Sequence, residues 1–151
     1  MKSNRWKESI AFLLIVLFAY TATSKFLDHY RFVFQMRLAP FPLMKTFAPA
    51  LGWIMPVLEW ILVIGLGIGI NSPRHLFIPL WVSFFLILLF EIYISVMLLS
   101  GLRLPCTCGG VISEMSWSVH LIFNAVFLVL TGVALWLHKK DMQYSLSSEK
   151  K

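Results

Sequence analysis

Four long runs of apolar residues divide the chain, and each is long enough to cross a lipid bilayer as an α-helix. Such a helix needs about 20 predominantly apolar residues. The predicted spans are residues 9–28, 47–70, 76–100 and 117–138. The pattern therefore predicts an all-α fold, an integral membrane bundle of four helices over residues 9–138, with the lipid bilayer as its immediate partner.

Lysine and arginine are distributed unevenly around the predicted spans. One side of the membrane collects Lys2, Arg5, Lys7, Arg74, Lys139, Lys140, Lys150 and Lys151, and the other collects Lys25, Arg31, Arg37, Lys45 and Arg103. Because positive residues are retained on the cytoplasmic side, we expect residues 1–8 and 139–151 to be cytoplasmic. The tail 139–151 combines serine with charged residues, so we expect it to be disordered.

Composition supports the membrane assignment and removes other classes. Hydrophobic residues make up 59% of the 151 residues and charged residues only 13%, which excludes a soluble globular protein. The net charge of +6 comes from the flanks of the spans, so it calls for no nucleic-acid partner. The first span is expected to remain uncleaved, because Ala22, Thr23 and Ser24 form a poor signal-peptidase site.

The chain has two cysteines, Cys106 and Cys108, in the loop between the third and fourth spans. The predicted orientation places this loop in the periplasm of a bacterium, where thiol pairs are kept oxidised. A disulfide between positions i and i+2 closes a small, strained ring that is easily reduced. The pair therefore favours thiol–disulfide exchange, although two unreactive free thiols remain the alternative.

Polar residues inside the spans form a second pattern, since such residues are costly in hydrocarbon and are by default paired or functional. They are Lys25, Asp28, Glu59, Glu91, Tyr93, His120 and Asn124. Their positions favour the outer halves of the spans, and the inner halves carry almost no ionisable groups. We therefore expect them to surround one outward-facing site. The alternatives are an ion pair of Lys25 with Asp28 or Glu59 that only fixes helix register, and a hydrogen-bonded interfacial His120.

Two local signals concern helix contacts and helix starts. Gly65 and Gly69 form a GxxxG pattern, which allows another helix to approach closely. Ser113 or Ser116 is expected to cap the start of the fourth span, because a serine side chain can accept a hydrogen bond from a free backbone N–H there. A helix that starts near the cysteines would lower a nearby thiol pKa through its dipole.

The order of these motifs resembles the MauE/DoxX group of four-helix membrane proteins, particularly its redox-associated members. The first span ends in Ser24-Lys-Phe-Leu-Asp28, the second contains Pro56-Val-Leu-Glu59, and the third contains Glu91-Ile-Tyr93. Pro105-Cys-Thr-Cys-Gly-Gly110 and Trp117-Ser-Val-His-Leu-Ile-Phe-Asn124 follow. MauE members often have Phe-Gly after the cysteines, where this chain has Gly109-Gly110.

The resemblance implies a DoxX-like fold and a role connected with methylamine utilisation, in which MauE proteins support maturation of a disulfide-rich periplasmic subunit. Our first hypothesis is a membrane thiol–disulfide redox protein that uses Cys106 and Cys108 with a periplasmic thioredoxin-like protein or a disulfide-containing client. A quinone is the cofactor that this hypothesis allows. The second hypothesis is a noncatalytic assembly or anchoring factor for a redox complex. The third, ranked well below these, is copper binding by the two thiolates with His120, Met97 or Met115; no metal site is predicted.

Overall fold

Five helices make up nearly all of the computed structural model, which describes residues 2–100 and 116–149. They are α1 (Lys2–Leu27), α2 (His29–Arg37), α3 (Met44–Asn71), α4 (Pro73–Leu99) and α5 (Trp117–Glu149). Four of them are long and apolar enough to cross a membrane, over Arg5–Leu27, Met44–Ile70, His75–Leu99 and Ser118–Gln143. The chain is thus an all-α, multi-pass membrane protein, as predicted.

Helix α2 extends α1 along the side of α3. Only Asp28 separates the two helices, and backbone hydrogen bonds continue across it, from the Asp28 N–H to Ser24 and from the Phe32 N–H to Asp28. The side chain of Lys25 contacts Glu59, while the ring of His29 lies 4.2 Å from that of Trp53. Later residues of α1 and α2 therefore contact earlier residues of α3, which is an antiparallel pairing that runs through both helices.

The four long helices form a ring in which α1 packs against α3 and α5, and α4 packs against the same two helices. Their inner faces bury an apolar core that includes Leu14, Phe18, Leu66 and Leu80. The outer faces carry exposed large apolar residues, among them Phe12, Ile64, Phe85 and Val129. Helices that are apolar on all sides are typical of proteins surrounded by lipid, and the outer residues here are placed to contact it.

The start of α1 and the end of α5 lie at one end of this ring, together with the turn between α3 and α4. We call it the terminal end. The opposite end, where α3 and α5 begin and α4 ends, is the loop end, because the segment 101–115 connects α4 to α5 there. Cys106 and Cys108 fall in that segment, outside the described residues.

The turn between α3 and α4 is very tight and depends on glycine. Ser72 alone separates the helices, and Pro73 occupies the first position of α4, where its missing N–H costs no hydrogen bond. A Cβ atom on Gly69 would lie 2.8 Å from the Cα atom of Leu76, and one on Gly65 would lie 3.2 Å from the ring of Pro79. The close helix contact expected at Gly65 and Gly69 is confirmed.

The start of α5 agrees with the prediction, and its end does not. Helix α5 begins at Trp117 with Ser116 at its cap, where the Val119 N–H donates to Ser116 Oγ at 3.4 Å, so one of the two serine alternatives holds. At its other end α5 continues to Glu149, through most of the tail for which we expected disorder. The physical reason is that residues 139–149 contain neither glycine nor proline, so nothing in the segment stops a helix that has already formed.

Candidate functional site

A cavity of about 300 Å³ lies between the helices, from the middle of the bundle towards the loop end. Its apolar walls include Phe18, Met36, Met44, Met55, Phe90 and Phe123. Its polar lining consists of Thr21, Lys25, Glu59, Tyr93, His120 and Asn124. These residues come from all five helices, so the cavity exists only when the whole bundle is assembled.

A buried ion pair between Lys25 and Glu59 forms one wall of the cavity. The Lys25 ammonium donates to Glu59 Oε1, and the two residues are only 3% and 1% exposed. The ammonium also lies 5.8 Å from the ring centre of Phe32 and 5.2 Å from that of Phe90, which are distances for cation–π contacts. Lys25 is therefore held from several sides and cannot turn away into lipid.

Glu59 has one carboxylate oxygen without a hydrogen-bond partner. Its Oε2 atom is buried, and no described residue donates to it. A buried carboxylate oxygen in this state is costly, and water or a ligand normally satisfies it. Because Glu59 lines the cavity, a group with a proton to donate can be accommodated beside this oxygen.

The other polar wall comes from α4 and α5. Tyr93, His120 and Asn124 line the cavity there, and His120 and Asn124 are buried on the same face of α5, one turn apart. Glu91 lies near His120, and its Oε2 atom has no hydrogen-bond partner among the described residues. The cavity is thus lined by proton-carrying groups on two opposite sides, within walls that are otherwise apolar.

The predicted site residues are mostly brought together. Lys25, Glu59, Tyr93, His120 and Asn124 line one cavity, with Glu91 next to His120. Asp28 is different, because it is exposed at the junction of α1 and α2 and does not line the cavity. Lys25 therefore pairs with Glu59 and not with its near neighbour in sequence. Cys106 and Cys108 lie outside the described residues.

Several residues of the cavity were not predicted. Thr21 lies one turn before Lys25, on the same face of α1, and interacts with the Glu59 carboxylate. Phe32 contributes its ring from α2, a helix that the apolar pattern gives no reason to place near the site. The spacing from Thr21 to Lys25 could have indicated the first, whereas the position of Phe32 depends on how α2 packs.

A second buried polar cluster lies at the terminal end, where we expected almost no ionisable groups in the interior. Lys7 is 3% exposed and forms an ion pair of 2.5 Å with Asp141. His138 is 1% exposed, its ring lies 5.7 Å from that of Phe77, and neither ring nitrogen has a partner among the described residues. The expectation of a polar interior confined to the loop end is therefore wrong. By their positions in the sequence, Lys7 and Asp141 flank the predicted spans. The packing of α1 against α5 brings their side chains into contact.

The Lys7–Asp141 pair gives a stability prediction. Replacing Asp141 by Asn leaves the buried Lys7 ammonium without its counter-charge, and we expect the free energy of unfolding to fall by about 1 to 3 kcal/mol. The matched control is Asp28→Asn, at an exposed aspartate, which should change it by less than about 0.5 kcal/mol. Unfolding by sodium dodecyl sulfate in mixed micelles, followed by circular dichroism, measures both. Equal effects of the two variants would contradict a stabilising pair.

The part of the chain that the structure describes contains no group of three or more His, Cys, Asp or Glu side chains placed to hold a metal ion. The described residues of the cavity offer one ammonium, one carboxylate and the hydrogen-bonding groups of Thr21, Tyr93, His120 and Asn124. This set can form hydrogen bonds with the polar atoms of an organic ligand.

Comparison with known families agrees with this architecture. The family model described as "Methylamine utilisation protein MauE" matches residues 5–137. The chain belongs to the MauE family. The match covers every residue that lines the cavity, and it also covers Cys106 and Cys108, whereas His138 and Asp141 of the terminal-end cluster lie beyond its last residue. Searches against characterised proteins and against solved structures each found no significant match.

Membership of the MauE family places the chain among membrane proteins associated with methylamine utilisation. It agrees with the resemblance drawn from the motifs, since the matched range contains all of them. The part of that resemblance that concerned DoxX is not tested by this match.

Proposed function

We propose that this MauE family member is a membrane thiol–disulfide redox protein, in which Cys106 and Cys108 exchange electrons with a periplasmic thioredoxin-like protein or a disulfide-containing client. The observation that carries the proposal is the position of the polar cavity. It extends towards the loop end, where α4 ends and α5 begins, and the cysteine-containing segment joins those two helices. His120 follows the start of α5 by three residues.

The exchange itself needs no further reagent. When the cysteines are oxidised, a thiolate of the partner attacks one sulfur of the Cys106–Cys108 disulfide and forms a mixed disulfide, and the second partner thiol then displaces it. The partner is released with a new disulfide. Cys106 and Cys108 remain as thiols and carry the two protons that the partner's thiols lost. Two electrons pass from the partner to this chain, so each turnover oxidises one client dithiol.

The orientation is part of the proposal. An even number of spans puts both termini on the same side, and the excess of lysine and arginine at the terminal end favours the cytoplasm there. The segment 101–115 then faces the periplasm of a bacterial inner membrane, where disulfides persist. The association of the family with methylamine utilisation suggests a client in that process.

Trapping of the thiols tests the proposal. Cells are quenched with acid and alkylated with a mass-shifting reagent, in wild type and in Cys106→Ser, Cys108→Ser and the double variant. One single variant should accumulate a mixed disulfide that reductant releases, because it can form the intermediate but cannot resolve it. The double variant should show none, since the chain has only two cysteines.

The control outcome separates the redox role from a noncatalytic assembly role. A partner that stays attached to the double variant under denaturing, non-reducing conditions would show that these sulfurs do not form the bond. Thiols that stay reduced and free of adducts in every condition would also contradict the redox role. If the double variant then kept its function in cells while changes at Lys25 or Glu59 abolished it, the assembly role would replace our proposal.

A further inference from the structure

The cavity has the properties of a binding site for a small amphipathic molecule that enters from the lipid. Its volume of about 300 Å³ is at the lower end for ligand pockets, and its walls are mainly phenylalanine, methionine and leucine. Leu89 lines the cavity and is also 51% exposed on α4. Leu89 therefore separates the cavity from the outer surface of the bundle, and a lipid-soluble molecule would enter beside it.

The polar groups specify what the head of that molecule must offer. Lys25 has ammonium protons beyond the one it donates to Glu59, and the Asn124 amide can donate from the opposite wall. These groups suit a ligand with carbonyl oxygens on two sides of a flat ring. The Oε2 atom of Glu59 is a hydrogen-bond acceptor without a partner among the described residues, so it suits a ligand hydroxyl that donates to it. One molecule meets both demands if it exists in a carbonyl form and in a hydroxyl form.

Other amphipathic ligands fit these groups less well. A fatty-acid carboxylate would be repelled by Glu59, which lies in contact with the one ammonium of the cavity. A phospholipid phosphate needs several donors in a cluster, and the ammonium of Lys25 is already engaged with a carboxylate and two aromatic rings. A sterol offers a hydroxyl but no carbonyl for the donors. A planar quinone ring offers the carbonyl form and, once reduced, the hydroxyl form.

From this combination we infer that the cavity binds the head group of a membrane quinone, with Lys25 donating to a quinone carbonyl and Glu59 Oε2 accepting from a hydroxyl of the reduced quinol. The rings of Phe90 and Phe123 and the side chain of Met55 enclose the flat head group. Its isoprenoid tail leaves past Leu89 into the lipid.

The role of this ligand, but not its binding, rests on the function proposed above. If Cys106 and Cys108 are reduced by the client, the quinone returns them to the disulfide. The two thiols lose two electrons and two protons, one S–S bond forms, and the quinone gains the same two electrons and two protons to become a quinol with two O–H bonds. The quinone is thus the oxidant that completes the cycle.

Binding of decylubiquinone and decylubiquinol tests the inference directly. The protein is placed in lipid nanodiscs, and each ligand is measured by equilibrium dialysis against empty nanodiscs. Wild type should bind both saturably. Leu51→Trp, on the cavity wall, should weaken binding at least about tenfold by filling the space, and Val57→Trp, on the exposed side of the same helix, should leave it unchanged. Circular dichroism confirms that both variants are folded.

A second variant separates ligand recognition from a merely structural effect. Glu59→Gln replaces a charged acceptor by a weaker one, so the affinity for decylubiquinol should fall about tenfold more than the affinity for decylubiquinone. Loss of structure would weaken both ligands together and leave their ratio unchanged. An unchanged ratio in folded protein, or equal binding by Leu51→Trp and Val57→Trp, would overturn the inference, as would the absence of saturable binding in wild type.

The cysteine-free variant distinguishes this inference from the proposed function. Cys106→Ser with Cys108→Ser should bind decylubiquinone like wild type, because the contacts inferred for the head group come from Lys25, Glu59 and the apolar wall. Mixed disulfides without quinone binding would leave the thiol exchange standing and refute the quinone site. Quinone binding without mixed disulfides would do the opposite.

Discussion

Replacing Lys25 by Met is expected to lower the free energy of unfolding by about 3 kcal/mol or more. The Glu59 carboxylate is 1% exposed and has Lys25 as its charged partner. Without the ammonium, this buried group must either remain charged in an apolar environment or take up a proton, and both are costly. Removing one member of a buried pair typically costs about 3 to 5 kcal/mol for this reason.

The double variant Lys25→Met with Glu59→Gln should recover most of that loss. It removes both charges, so no buried charge is left without a partner, and a buried pair replaced as a whole often has little effect on stability. The double-mutant cycle should therefore give a coupling energy of about 2 kcal/mol or more. Glu59→Gln alone should also destabilise the protein, because it leaves the Lys25 ammonium buried.

Unfolding by sodium dodecyl sulfate in mixed micelles, followed by far-ultraviolet circular dichroism, measures the four proteins of this cycle. The matched control is Lys45→Met, at an exposed lysine in the first turn of α3, which should change the free energy by less than about 0.5 kcal/mol. If Lys25→Met and Lys45→Met behaved alike, Lys25 would not be the buried partner of Glu59.

Replacing Gly69 by Ala is expected to destabilise the protein by about 1 to 3 kcal/mol. The new Cβ atom would lie 2.8 Å from the Cα atom of Leu76 and 2.9 Å from its Cδ1 atom. A backbone atom cannot move aside as a flexible side chain can, so α3 and α4 must separate, and overpacking of this kind typically costs that much. The cost arises although alanine by itself favours a helix over glycine by about 1 kcal/mol.

Gly67→Ala provides the matched control, two residues earlier in the same helix. Its Cβ atom would meet nothing within 4 Å, so only the helix preference of alanine acts, and the variant should be as stable as wild type or up to about 1 kcal/mol more stable. The same detergent titration compares the two. Equal stabilities of Gly67→Ala and Gly69→Ala would mean that α4 does not approach α3 closely at Gly69.

Much of the fold could be predicted because the requirement that creates it is local. A span needs about 20 consecutive apolar residues, and this can be read along the chain without knowledge of any neighbour. The same holds for the cap at Ser116, whose hydroxyl accepts a hydrogen bond from a residue three positions away. The ends were harder to predict, since the tail after His138 remains helical by continuing a helix that already exists.

The choice of a partner for Lys25 shows where sequence reasoning stops. Asp28 is three residues away and shares its face in a continuous helix, whereas Glu59 is 34 residues away. Asp28 lies at the junction of α1 and α2 and is exposed, whereas α3 brings Glu59 to the ammonium. A distant partner is selected by the register between helices, and no local pattern contains that register.

The sequence by itself determined four membrane-length helices, the residues that carry polar chemistry and the MauE-like order of the motifs, because hydrophobicity and spacing are properties of single segments. The tertiary structure alone decided that Lys25 meets Glu59, that α2 closes one side of a cavity, and that the buried Lys7 pairs with the partly exposed Asp141 at the other end. These contacts join residues far apart in the chain, so they exist only once the helices have packed at fixed registers.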